Sequence, residues 1–293
     1  MIQFVDKPQE QTPYYQFKKD GITAKIVPSL GGSLQELTKN SIPIITGSLS
    51  SVDSEATYLK YCASGIMFPF PNRLEKGQFT HENISWQLPL NDEQRHAIHG
   101  CVFQKPLEVK TLTETKITLG YTHTQNSEFP FSFTLDVTYE FKQTGITIHF
   151  RVKNNSSSSF PYGIGWHPYF ALTERTKSSL QLDAHIQYLT NDELICNAQK
   201  EVEITNLSLN QTLDSAFALS SQNVTLQTES YRITLATPKK SYLQLYTPQD
   251  KDMVAIEPMS CIGNAFNSGI GKKILAPEES FTWQVELDIE TFN

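Results

Sequence analysis

Cysteine is scarce and scattered. Cys62, Cys101, Cys196 and Cys261 are the only four in 293 residues, and no two of them form a Cys-x-x-Cys pair. That argues against a zinc site or a disulfide framework and for reduced, buried thiols. No run of the chain reaches the ~18 consecutive apolar residues of a membrane span. The opening Met1-Ile2-Gln3-Phe4-Val5-Asp6-Lys7 has no basic start followed by an apolar stretch, so no signal peptide is visible. Basic clusters are missing as well. The net charge is −7, and nucleic-acid phosphates are bound by clustered Lys and Arg. Low complexity is confined to Ser156 to Ser159, which reads as a loop, and no internal repeat is present. These absences point away from membrane and nucleic-acid partners and toward a cytoplasmic protein.

What is present is strand pattern. Hydrophobic residues make up 39% and charged residues 19% of the chain, enough for one large domain or two ordinary ones with a sizeable core. Phe131, Phe133, Leu135, Val137, Tyr139 and Phe141 alternate with polar residues, and so do Ile146, Ile148, Phe150 and Val152. With Gly145 between them, the two runs predict an antiparallel hairpin with one wet face, on which His149 falls. Further short strands are expected at Ile22 to Val27, Tyr242 to Tyr246, Met253 to Glu257 and Phe281 to Ile289. The pattern predicts an all-β fold of two large sheets with few helices. Ser178 to Cys196 could hold a short helix; periodicity leaves that open.

Several stretches carry candidate chemistry. In Gly163-Ile164-Gly165-Trp166-His167-Pro168-Tyr169-Phe170, extended geometry puts Gly163, Gly165 and His167 on one face. The two missing side chains would leave a hollow beside the imidazole, and Pro168 holds His167 in extended backbone. Taken alone, the histidine fits an aromatic core equally well. Pro69-Phe70-Pro71-Asn72-Arg73 predicts a stiff loop that presents Asn72 and Arg73, since two prolines exclude a regular helix or central strand. His99-Gly100 marks a place where the backbone bends or approaches something closely. His96 and His99 face opposite sides of a strand and lack further ligands at a familiar spacing, so they predict no metal site. His81, His96, His123, His149 and His185 read as surface or structural histidines. Glu257, pinned by Pro258, is a surface carboxylate on its own terms, but with His167 it would complete an acid and base pair.

In order along the chain, Pro69 to Arg73 with Gly77 and Phe79, His99-Gly100, and Gly165 to Phe170 resemble the aldose 1-epimerase (galactose mutarotase) family. Leu213-Asp214-Ser215-Ala216-Phe217, Leu243 to Thr247, and Ile256-Glu257-Pro258 followed by Asn264 to Asn267 continue the likeness, which runs from about residue 20 to 290. The resemblance implies a single β-supersandwich domain over residues 1–293, without cofactor or metal, acting on a monosaccharide as monomer or homodimer. It implies that Glu257 is the base that takes the proton from O1. His167 would be the acid that protonates the ring oxygen about one sugar width away. Asn72, Arg73, His99, Asp214 and Gln244 would bind the sugar. Val254, Ile256 and Met259 are candidate apolar walls for Glu257, and Phe68, Phe70, Trp166 and Tyr169 candidate platforms for the sugar.

The chain departs from the family pattern at Cys101-Val102-Phe103-Gln104-Lys105-Pro106, where one wall of the cleft is altered, and at Pro277-Glu278-Glu279. Other readings stay open. One is a mutarotase for a phosphorylated or sulfonated sugar, with Lys60, Lys76 and Lys105 as added cations. Another is a sugar-binding module without turnover. A two-carboxylate glycosidase would need Asp214 as second acid and leaves His167 unexplained.

Overall fold

Alternating side chains become strand ladders almost throughout. A computed structural model of the chain describes residues 1–6, 12–49, 54–249 and 251–292. The fold is all-β: a hydrogen-bonded network of 19 strands with three additional two-stranded ladders, and two short α-helices, Ser54–Tyr61 and Ala265–Ser268, among the described residues. The expected hairpin is Phe133–Phe141 against Gly145–Asn154, with Val137 opposite Phe150 and Thr138 opposite His149. Its odd-numbered residues from Phe133 to Phe141 are buried and its even-numbered ones half-buried, the signature of a sheet with one wet face.

The two large sheets expected are joined into one hydrogen-bonded network. Asp214–Gln227 pairs with Tyr242–Tyr246 along its first residues and with Tyr231–Ala236 along its last. One long strand thereby joins what would otherwise be two sheets into a continuous network. The segment Ser178 to Cys196 is not helical. Ser179–Thr190 is a strand whose register shifts at Gln181/Ala184 and Ala184/Ile186, and such bulges break the period-two signal.

Five neighbouring strands build the floor of a cleft. Asp214–Gln227, Tyr242–Tyr246 and Met253–Met259 lie side by side, with Ala216 opposite Gln244 and Gln244 opposite Glu257. On the far edge, Met253–Met259 pairs with two short strands, Gly165–His167 and Tyr169–Ala171, interrupted at Pro168. Period two then divides Met253–Met259 cleanly. Val254 and Ile256 enter the main core, whereas Ala255 and Met259 belong to a smaller cluster with Tyr58, Cys62, Phe103 and Tyr169 beneath the cleft.

Candidate active site

Glu257 shares the face of Ala255 and Met259 and is therefore turned toward the cleft, 2% exposed. His167 ends the Gly165–His167 strand beside it, and Nε2 lies 3.4 Å from Glu257 Oε1. The two groups are neighbours, not partners across a ring as the sequence reading expected. Asp214 stands at the rim and accepts a hydrogen bond from Gln244 Nε2 at 2.6 Å. Asn72, Arg73 and His99 line the cleft as well. All seven residues expected at the site line one cavity of about 850 Å³.

The local backbone explains how loop residues reach the site. Asn72 (φ 55°) and His99 (φ 61°) both occupy left-handed geometry, which turns the chain sharply at each. The His99 N–H donates to the Asn72 carbonyl at 3.0 Å, and Arg73 N–H donates to Asn72 Oδ1 at 2.7 Å. Gly100, at φ 68°, passes so close to Phe68 that a Cβ would lie 2.1 Å from its carbonyl oxygen. This is the close approach read from His99-Gly100.

Three other expectations are corrected. The hollow predicted at Gly163 and Gly165 is filled: a Cβ on Gly163 would meet Cys261 Sγ, and one on Gly165 would meet Met67 and Pro71. These glycines admit packing neighbours, not a ligand. Val254 and Ile256 do not wall Glu257, because period two turns them into the core. Tyr169 and Cys62, which both feel its charge, stand there instead. Phe68, Phe70 and Trp166 are core residues. The aromatic side chains that line the cleft are Tyr61, Phe103, Tyr169 and Tyr246. Phe103 and Gln104 occupy the wall expected to be altered. Tyr61, Cys62, Asp92, Leu194 and Tyr246 also line the cleft; of these only Tyr246 lies in a stretch that the sequence singled out, and there Gln244 was the residue chosen.

Burial governs the electrostatics. It drives the Glu257 carboxyl well above the ordinary range; the Asp214 charge adds to this and Arg73 opposes it. The same desolvation lowers His167 to about 4. His99 is pushed well below its usual value by burial, then by His167 and Arg73. Burial also raises Asp214, against Arg73 and the Gln244 hydrogen bond. His167 stacks on Tyr169 with centroids 5.0 Å apart and meets His99 edge-on at 5.2 Å. Glu257 Oε2, His167 Nδ1 and His99 Nδ1 are buried without a hydrogen-bond partner among the described residues. Orphaned buried polar atoms are rare enough to need a reason, and a hydroxyl-rich ligand would satisfy them.

The family model for aldose 1-epimerase matches residues 13–288. In sequence, the chain is 28% identical over 227 residues to the uncharacterized protein YihR of Escherichia coli K12, covering 72% of this chain and 73% of that one. In structure, it is similar to a galactose mutarotase-like protein from Clostridium acetobutylicum, with TM-score 0.88 and 19% identity over 100% of this chain and 99% of that one. It is also similar to galactose 1-epimerase from Lactobacillus acidophilus, with TM-score 0.81 and 19% identity over 100% and 99% of the two chains. The fold is thus that of the galactose mutarotase-like proteins, and with the match running over nearly its whole length, the chain belongs to the aldose 1-epimerase family.

Proposed function

We propose that the protein is a cofactor-independent aldose 1-epimerase that interconverts the α and β anomers of a free hexose such as glucose or galactose. The observation that carries this reading is the 3.4 Å approach of His167 to Glu257 on a buried floor. In an aldopyranose, O1 and the ring oxygen O5 are bonded to the same carbon. A base for one and an acid for the other must therefore stand side by side, and this pair does.

The Glu257 carboxylate takes the O1 proton while the His167 imidazolium gives one to O5. The C1–O5 bond breaks, its electron pair passes to O5, and C1 becomes an aldehyde. Rotation about C1–C2 presents the other carbonyl face, and the two groups reverse roles to close the ring. Between the steps Glu257 is protonated and His167 neutral, the forms that burial favours at each. The Arg73 cation favours the Glu257 carboxylate needed at the start. Activity then requires one proton on the pair, so the rate profile is bell-shaped with macroscopic pKa values that belong to both groups.

A phosphorylated or sulfonated sugar is the second reading. Lys105 is paired with Glu128 at 2.7 Å, and Lys76 faces a different groove beside Trp86 and Asn267. Lys60 keeps this reading open: it lines the cleft, with its ammonium 5.1 Å from the centre of the Tyr61 ring, and the Lys251 ammonium lies over the same ring at 4.3 Å. Polarimetry or exchange NMR on freshly dissolved α-glucose and α-galactose should show equilibration faster than in buffer. Strong competition by glucose 6-phosphate would favour the anionic sugar. Saturable binding with no anomer exchange would favour a binding module, and no acceleration across a broad sugar panel would sink the enzymatic reading.

A further inference from the structure

One short, largely buried ion pair in the cleft contains a residue, Asp92, that the proton transfers above do not use. Arg73 Nε donates to Asp92 Oδ2 at 2.6 Å, and the two side chains are 19% and 16% exposed. Asp92 belongs to a loop clamped onto the strand that faces Arg73. The Asn91 side chain accepts the Ile98 N–H at 2.7 Å and donates to the Ile98 carbonyl at 3.1 Å. The backbone N–H groups of Asn91 and Asp92 both donate to the His96 carbonyl. Ile98 in turn pairs in register with Arg73. Carboxylate and guanidinium are thus fixed to the same short ladder.

A guanidinium tied through Nε keeps both Nη groups for other work. Among the described residues the protein gives those groups no hydrogen-bond partner, and Arg73 lines the cleft. Its cation acts on Glu257, Asp214 and His99 together. We infer that Asp92 is a positioning residue: it holds Arg73 through Nε so that the two Nη groups point at sugar hydroxyls beside the reacting carbon, and it fixes the cation relative to Glu257. This rests on the mutarotase reading for its kinetic consequence, but not for its geometry. The groups that face Glu257 from the surrounding elements are His167, Asp214, Arg73, Tyr169 and Cys62. Asp92 acts on Glu257 only through Arg73.

Asp92→Ala and Asp92→Asn separate the hydrogen bond from the charge. In the Asn variant an acceptor for Nε–H remains, while the negative charge is gone. By NMR, the Arg73 Nε–H should exchange slowly with water in the wild type and in Asp92→Asn, and quickly in Asp92→Ala. In mutarotation, Asp92→Ala should lose roughly 10- to 100-fold in kcat/KM, carried mostly by KM. Asp92→Asn should stay within about threefold in KM, with its pH profile moved to lower pH because an unneutralised Arg73 draws Glu257 down further. An Arg73 Nε–H unaffected by Asp92→Ala would overturn the inference. So would wild-type KM and pH profile in Asp92→Ala, or equal losses in both variants with an unmoved profile. A wild type that shows no mutarotation sinks the functional reading alone, since the NMR comparison stands without turnover.

Discussion

Two His–Glu pairs in this molecule have nearly the same geometry and opposite electrostatics. His149 Nε2 lies 3.3 Å from Glu140 Oε2 on the wet face of the hairpin, and His167 Nε2 lies 3.4 Å from Glu257 Oε1 in the cleft. Concavity does not separate them either, for His149 lines a groove of about 800 Å³ and the cleft holds about 850 Å³. Burial does. The side chains of the outer pair are 41% and 28% exposed, those of the inner pair 7% and 2%. Glu140 has a cation in hydrogen-bond reach, and Lys116 above all lowers its pKa. Glu257 has lost water without gaining such a partner, so its pKa rises. The two pairs are therefore set apart by desolvation and incomplete hydrogen bonding, not by proximity.

The largest effect should come from breaking the inner pair. Glu257→Gln and His167→Asn should each reduce mutarotation by a hundred- to ten-thousand-fold, on the order of what a positioned acid or base contributes. Glu140→Gln and His149→Asn should leave the rate as it is. Polarimetry on the four variants decides the matter, and comparable losses from the outer pair would erase the contrast.

Adjacent aromatics extend the comparison. Trp166 is fully buried in the main core, whereas Tyr169 lines the cleft and stacks on His167. Trp166→Leu should cost about 3 kcal/mol of stability while leaving KM for sugars near the wild-type value. Tyr169→Leu should instead raise KM and lower kcat, because it removes both a wall of the cleft and the support of the imidazole. Denaturant melts and initial rates on the same preparations separate the two outcomes.

The contrast also shows what was legible in the sequence. Alternation is a local signal, so the hairpin at 133–154 and the strand at 253–259 could be read directly. Ser179–Thr190 could not, because its bulges spoil the period. Single positions near the site misled for a related reason. Glu257 looks like a surface carboxylate until the strands on both sides of it are known, and Trp166 sits beside His167 in sequence yet on the opposite face. Motif order along the whole chain gathered the seven site residues where residue-by-residue reading did not. It could not supply Asp92 or Leu194, whose place in the cleft depends on how their loops close over it. Nor did it give the 3.4 Å approach of His167 to Glu257, on which the proposed ring opening rests.

Stability should separate the pairs with opposite signs. The folded-state pKa of Glu257 lies above its unfolded value. Its contribution is fully present below the unfolded pKa, near 4.3, and is lost as pH rises through the folded one. Glu257→Gln abolishes that loss. That variant should therefore be more stable than wild type at pH 8, by about 1 kcal/mol or more, and the difference should shrink toward pH 4. His167, lowered to about 4 from 6.5 by burial, acts in the other direction. Its own contribution declines as pH falls across that window, so His167→Asn should gain in stability relative to wild type toward pH 4. Melting temperatures across pH 4 to 8 test both, and a Glu257→Gln variant less stable than wild type at pH 8 would count against a desolvated carboxylate.

The smallest effect belongs to the outer pair and has the opposite sign again. Glu140 has its pKa lowered, first by the Lys116 hydrogen bond and only last by His149. Its contribution is present above its unfolded pKa and is lost as pH falls through the folded one. Because the group is solvent-screened, Glu140→Gln should cost only about 0.5 kcal/mol at neutral pH, and His149→Asn less. Added salt should remove most of that cost, since exposed charges are screened within a Debye length. The change at Glu257 should survive the same salt, because the carboxylate there has almost no water or counterion to respond. If salt levelled both variants alike, the carboxylate at 257 would be as hydrated as the one at 140, and burial would no longer account for the difference between the two pairs.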